Sequence, residues 1–96
     1  MRPSEALQIH RTAVIAAVTR FRATNPRLFG SALFAQDTPG SDLDILVDTL
    51  PHTTLFDLGG LQVALEDMLG VKVDVLTPAD LPVKFRAQVL AQAQPV

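Results

Sequence analysis

Cysteine is absent from the chain. That excludes a disulfide framework and any thiolate metal centre, and it is compatible with a cytoplasmic setting. Long apolar runs are missing as well. The main one, Thr12 to Val18, is bounded by arginines and falls far short of the roughly 20 residues that cross a bilayer. Arg2, Glu5 and Arg11 break any secretory-leader pattern at the N-terminus, so no membrane association is expected. A basic stripe is equally lacking. Eight Lys and Arg stand against ten Asp and Glu, a formal net charge of -2, whereas a protein that grips nucleic acid alone carries a basic face. Strong direct nucleic-acid binding is therefore not expected. Repeats, low-complexity tracts and linkers do not occur. No serine has a base at triad spacing, which leaves nucleophilic hydrolysis without support.

What remains is 96 residues, 48% of them hydrophobic, enough for one small ordered domain over 1–96. Ser4 is placed to cap a helix running to about Ala23. On it Leu7, Val14, Ile15, Val18 and Phe21 share a face, and Asn25-Pro26 stops it. Arg27 to Phe29 reads as a short strand, and Ala32 to Gln36 as a single helical turn. Asp42 to Asp48 alternates, with Leu43, Ile45 and Val47 opposite Asp42, Asp44, Leu46 and Asp48. Thr53 or Thr54 starts a helix that Gly70 ends, with Gly59-Gly60 an awkward pair inside it. Val71 to Leu76 is a third strand, and a last helix from about Pro82 to Ala91 turns Val83, Phe85, Val89 and Leu90 toward apolar surroundings. Strands alternating with helices predict a small α/β sheet covered by helices.

One segment carries chemistry. Leu28-Phe29-Gly30-Ser31 is followed by ten residues and then Asp42-Leu43-Asp44. Residues two apart in a strand share a face, roughly 6.5 Å apart along the chain. Two carboxylates so placed converge on divalent ions held ~3.5–4 Å apart, the spacing of two-metal phosphoryl chemistry. Asp74, flanked by Val73 and Val75, lies mid-strand opposite three valines, where a charge needs a partner or an ion. At Gly30 the backbone is free to approach a phosphate, and the Ser31 hydroxyl can donate to it. Asp48 sits two residues deeper and reads as a strand-end residue. His10 and His52 have no partner at ligand spacing and read as solvated.

The pattern Gly30-Ser31-x10-Asp42-x-Asp44, with Val73-Asp74-Val75 further on, resembles the signature of the polymerase-β-type nucleotidyltransferases. In its brevity the chain is similar to the minimal nucleotidyltransferase (MNT) subfamily. The resemblance runs from about residue 5 to 90. It implies an α+β palm with a mixed sheet, ATP as substrate, and two Mg²⁺ ions held by Asp42 and Asp44, with Asp74 completing the catalytic one. It implies Gly30 and Ser31 as triphosphate-binding residues. Proteins of this size resemble the antitoxins of HEPN–MNT pairs, so a HEPN-type toxin is the expected partner and a tyrosine on it the expected AMP acceptor. The alternative is an antitoxin that neutralises by binding alone, with apolar Ala32 to Ala35 as its interface. Family members often carry arginine shortly after the Gly-Ser turn. Here that stretch, Ala32 to Gln36, is uncharged, leaving Arg27, Lys72, Lys84 and Arg86 as substitutes.

Overall fold

Leu43, Ile45 and Val47 alternate with Asp44, Leu46 and Asp48, and this period of two makes their strand the centre of the sheet. The computed structural model describes residues 1–34 and 36–96. Among them the chain runs α1 (Pro3–Ile9), α2 (Arg11–Arg20), β1 (Ala23–Phe29), a 3₁₀ helix (Ser31–Phe34), β2 (Leu43–Thr49), α3 (Leu55–Leu69) and β3 (Val73–Leu76). A second 3₁₀ helix (Pro78–Asp80), α4 (Val83–Gln92) and β4 (Gln94–Pro95) complete it. The strand order is β3-β2-β1-β4. β1 is antiparallel to β2 and β4, while β2 and β3 are parallel. The sheet is therefore mixed and the class α+β, as expected. No helix among the described residues is long and apolar enough to cross a membrane.

Leu43, Ile45 and Val47 are fully buried in one cluster with Val14 and Val18 of α2, Leu61 and Leu65 of α3 and Val73 of β3. Each such side chain contributes about 1.5–3 kcal/mol relative to exposure. Leu46, on the other face, is fully buried too, where the second 3₁₀ helix reaches β2. The face predicted to be acidic thus has an apolar floor. α3 begins as read from the sequence: of the two threonines Thr54 is the cap. Its hydroxyl accepts from the Asp57 N–H at 3.1 Å, and the Asp57 carboxylate accepts from the Thr54 N–H at 2.9 Å. Gly70 ends the helix in the left-handed region, φ 68°. Gly60 is required by space, since a Cβ there would lie 2.8 Å from the Phe21 ring; Gly59 has nothing within 4 Å.

Other expectations are corrected. The N-terminal helix is two helices, broken at His10, and it ends at Arg20 rather than Ala23. Ser4 does not cap it: Arg2 holds that position and Pro3 opens the first turn. Ile15 points outward, 40% exposed. Asn25-Pro26, read as a stop, lies inside β1. Arg22 (φ 62°) turns the chain, Asn25 (φ 53°) supports a bulge between Thr24 and Arg27, and pairing with β2 extends the strand back to Ala23. β3 starts at Val73, because Val71 and Lys72 precede the ladder. Its outward N–H groups at Val73 and Val75 donate to Glu66 and Gln62 of α3, which satisfies the sheet edge. The expected turn Ala32 to Gln36 is a 3₁₀ helix over Ser31–Phe34, and Ala35 lies outside the described residues. Finally, α4 buries none of its residues: Val83 is 80% exposed, and Phe85 and Leu90 are exposed as well. Among the described residues its apolar side chains on either side of the helix stay largely uncovered.

Candidate active site

Strand direction gathers the site. β1 ends where β2 begins, because they are antiparallel, and β3 begins there too, because it is parallel to β2. Phe29, Asp44 and Asp74 form one row across the three strands, Phe29 paired with Asp44 and Asp44 with Asp74. Neighbouring strands stand about 4.8 Å apart, so the two carboxylates of that row are close by construction. Asp42 lies one residue before β2 at the same end.

Gly30 follows Phe29 with φ 78°, a region that side chains avoid. A Cβ at Gly30 would run into the Asp44 carboxylate, so the turn is packed directly against the acid. The Leu33 N–H donates to the Gly30 carbonyl at 3.2 Å, and the Gln36 N–H to the Ser31 carbonyl at 3.0 Å, which curls the chain back over the turn. All five residues singled out by the sequence motif thus meet at one end of the sheet.

The electrostatics are those of crowded acids. Asp44 is pushed up to about 6, first by burial, then by the charge of Asp74, then by that of Asp42. A cation placed among them would relieve that repulsion, and an all-oxygen donor set suits Mg²⁺. Among the described residues no three Asp, Glu or His side chains close into an ion-binding cage. The fit to a divalent ion therefore rests on donor chemistry and charge.

Asp48 shares the face but is committed elsewhere. It accepts from Arg27 at 2.6 Å and from the Asn25 amide at 2.9 Å. Arg86 donates to the carbonyls of Ala79 and Leu81, and Lys84 lies over the Phe85 ring. Of the four cations considered, Lys72 alone stands at the site, its Nζ 3.9 Å from Asp42 Oδ2. His10 and His52 are exposed, as expected.

Sequence reasoning missed Asp37. It is buried, 3% exposed, and accepts from the Ser4 N–H at 2.8 Å and the Ser4 hydroxyl at 2.9 Å. This clasp ties the loop between Ser31 and Asp42 to the start of α1. Burial alone would push its pKa up, but the two Ser4 bonds, its own backbone and the Arg2 charge hold it below the usual carboxylate range. No local motif announces a partner 33 residues away. A cavity of about 730 Å³ lies elsewhere, among α1, the first 3₁₀ helix and β4, with none of the three site acids in its wall.

The comparisons with known proteins show the family and the fold. The model of the nucleotidyltransferase domain family matches residues 17–95, a span that includes all five motif residues. The protein of Methanocaldococcus jannaschii named "Putative protein adenylyltransferase MJ0435" is 36% identical over 66 residues, 69% of this chain and 71% of that one. A second from the same organism, "Putative protein adenylyltransferase MJ1217", is 34% identical over 58 residues, 60% of this chain and 59% of its own length. A solved structure described as a "putative minimal nucleotidyltransferase" superposes with a TM-score of 0.87 at 39% identity, covering 97% of this chain and 95% of that one. The fold also matches a toxin–antitoxin structure with AMP-PNP, TM-score 0.73 at 21% identity, covering 88% and 69%. The chain belongs to the nucleotidyltransferase domain family and is of its minimal type.

Proposed function

We propose that this nucleotidyltransferase moves AMP from ATP to a hydroxyl of a partner protein, a tyrosine of a HEPN ribonuclease toxin, and so acts as its antitoxin. The observation that carries the reading is the acid row: Asp44 and Asp74 paired across parallel strands, with Asp42 alongside and the Gly30 turn against them. The names of the two archaeal relatives support AMP as the group moved. The shared fold of a toxin–antitoxin structure with AMP-PNP supports the partner and the nucleotide.

Asp42 and Asp44 would hold two Mg²⁺ ions, with Asp74 completing the shell of one. When bound, the ions would offset triphosphate charge and polarise the attacking hydroxyl. Gly30, lacking a side chain, lets the backbone approach the triphosphate, and the Ser31 hydroxyl donates to a phosphate oxygen. Asp74, on the strand beside Asp44, orients the acceptor hydroxyl and accepts its proton. The acceptor oxygen bonds to the α-phosphorus, the bond from that phosphorus to the bridging oxygen breaks, and pyrophosphate leaves with the electron pair. With Asp44 at about 6, the carboxylate is mainly ionised at pH 7 and loses its charge as pH falls below 6. On this reading the protein acts in the cytoplasm, a setting its cysteine-free sequence allows.

The test is incubation with α-labelled ATP, Mg²⁺ and a HEPN protein encoded beside this gene, with an Asp42→Asn/Asp44→Asn control. Label on the partner with wild type alone supports the transferase. A second reading, an antitoxin that acts by covering its partner, is favoured by the exposed apolar Phe34 and by the largely uncovered apolar side chains of α4. It predicts no label but a stable complex in which the ribonuclease is silent, with wild type and control alike.

A further inference from the structure

We infer that Lys72 is a nucleotide-binding residue of this site, its ammonium moving from Asp42 to a phosphate oxygen when the nucleoside triphosphate binds. The inference rests on the reading of the acid row as a nucleotide site. It starts from charge. Asp42, Asp44 and Asp74 meet at one end of the sheet, and a nucleoside triphosphate would bring about four further negative charges there at neutral pH. The turn that would cradle it has no compensating cation, since Ser31, Ala32, Leu33 and Phe34 are all uncharged.

Six other basic side chains have partners elsewhere, Arg20 and Lys84 over the Phe21 and Phe85 rings among them. Arg27 is 2.6 Å from Asp48, well down the sheet from the turn, and Arg86 is bonded to the carbonyls of Ala79 and Leu81. Arg2 pairs with Glu5 on α1, and Arg11 donates to the Val96 carbonyl. Lys72 is the one basic side chain, among the described residues, paired with a site acid.

Its placement follows from the fold. The Lys72 carbonyl accepts from the Leu43 N–H at 2.8 Å, which locks this residue beside the Asp42–Leu43 peptide at the mouth of the site. The side chain is 67% exposed and reaches Asp42 Oδ2 only at 3.9 Å. An exposed pair of that length is weak, so Lys72 is not committed to Asp42. The ammonium, on an exposed stem beside Asp42, would be free to turn to a phosphate oxygen of a nucleotide held at the acids. A compact, mobile point charge on a four-carbon stem suits that exchange.

The test separates nucleotide from metal. Affinity for a non-hydrolysable ATP analogue with Mg²⁺ is measured by calorimetry, and affinity for Mn²⁺ alone by paramagnetic relaxation. Both use wild type, Lys72→Met and Lys72→Arg. The expected result is about a tenfold loss of analogue affinity in Lys72→Met, substantial recovery in Lys72→Arg, and Mn²⁺ affinity equal to or above wild type. Unchanged analogue affinity in Lys72→Met overturns the inference while leaving the nucleotide site standing. Parallel loss of Mn²⁺ and analogue affinity also overturns it, because Lys72 would then act only by shaping Asp42. Wild type that binds no analogue removes the nucleotide site itself and the inference with it.

Discussion

Asp37 and Asp44 lie at the two ends of one short segment, and their environments are opposite. Asp37 is the more deeply buried, yet its pKa is held below the ordinary carboxylate value. Asp44 is half-buried, yet it is pushed up to about 6. Burial is the largest single influence on both and acts upward on both. At Asp37 it is outweighed by the Ser4 N–H and hydroxyl and by the charge of Arg2; at Asp44 the neighbours are Asp74 and Asp42, which add to it. Depth therefore does not mark the site. What sets the candidate site apart is a carboxylate whose nearest charged neighbours are other carboxylates.

The sharpest way to break this contrast is at the acids themselves. Asp42→Asn/Asp44→Asn keeps shape and removes charge, and it is expected to lower AMP transfer on the order of 10³-fold or more in the labelling assay. Retained transfer would place the chemistry elsewhere. Gly30→Ala comes next, because its Cβ would displace the Asp44 carboxylate and its φ of 78° strains any side chain. A destabilisation of about 1–3 kcal/mol is expected, with loss of transfer beyond what the unfolded fraction explains.

Asp37→Ala should cost about 1–2 kcal/mol at pH 7, by stranding the two Ser4 donors, as read from urea midpoints. Its sign with pH is fixed by the lowered native pKa. The Asp37 contribution is full above the unfolded value of 3.8 and is lost as pH falls through the lower native value, so the variant and wild type converge in acid. A further effect is opposite in sign. Asp44→Asn is expected to stabilise the fold by about 1–2 kcal/mol at pH 7–8, once solvent screening at a half-exposed group is allowed for. The native state holds the Asp44 proton more tightly than the unfolded chain does. Its penalty therefore develops as pH rises from 3.8 to about 6, and the gap between variant and wild type closes by pH 4. Equal melting temperatures of variant and wild type at pH 7 as well as pH 4 would show that neither burial nor the neighbouring acids penalise the Asp44 charge. One substitution that gains stability while losing transfer would identify Asp44 as functional rather than structural.

Much of this was legible in the sequence, and the failures have particular causes. α3 was readable at both ends, because Thr54, Asp57 and Gly70 act through bonds and backbone angles within their own turn. β2 was readable because alternation reports a half-buried strand directly. Asn25-Pro26 misled because a helix stop and a strand bulge share the same local chemistry, and only pairing with β2 distinguishes them. α4 misled for the converse reason: apolar residues in a helix reveal nothing of whether another element covers them, and here none is buried. Gly59-Gly60 looked like one feature and is two, since only Gly60 meets the Phe21 ring. Asp37 was invisible because its partner, Ser4, is distant in sequence and neither residue belongs to a motif.

The sequence by itself determined the identities and spacing of the candidate site: a glycine that tolerates positive φ, two acids two residues apart at the head of one strand, and a third acid between valines. Those are local properties, written within a few residues of where they act. Tertiary structure alone decided that Asp74 stands beside Asp44, that Lys72 rather than Arg27 or Arg86 faces the acids, and that Asp37 anchors the intervening loop. Strand order and direction made those choices, and they depend on how distant segments bury apolar surface together, which no short window of residues encodes.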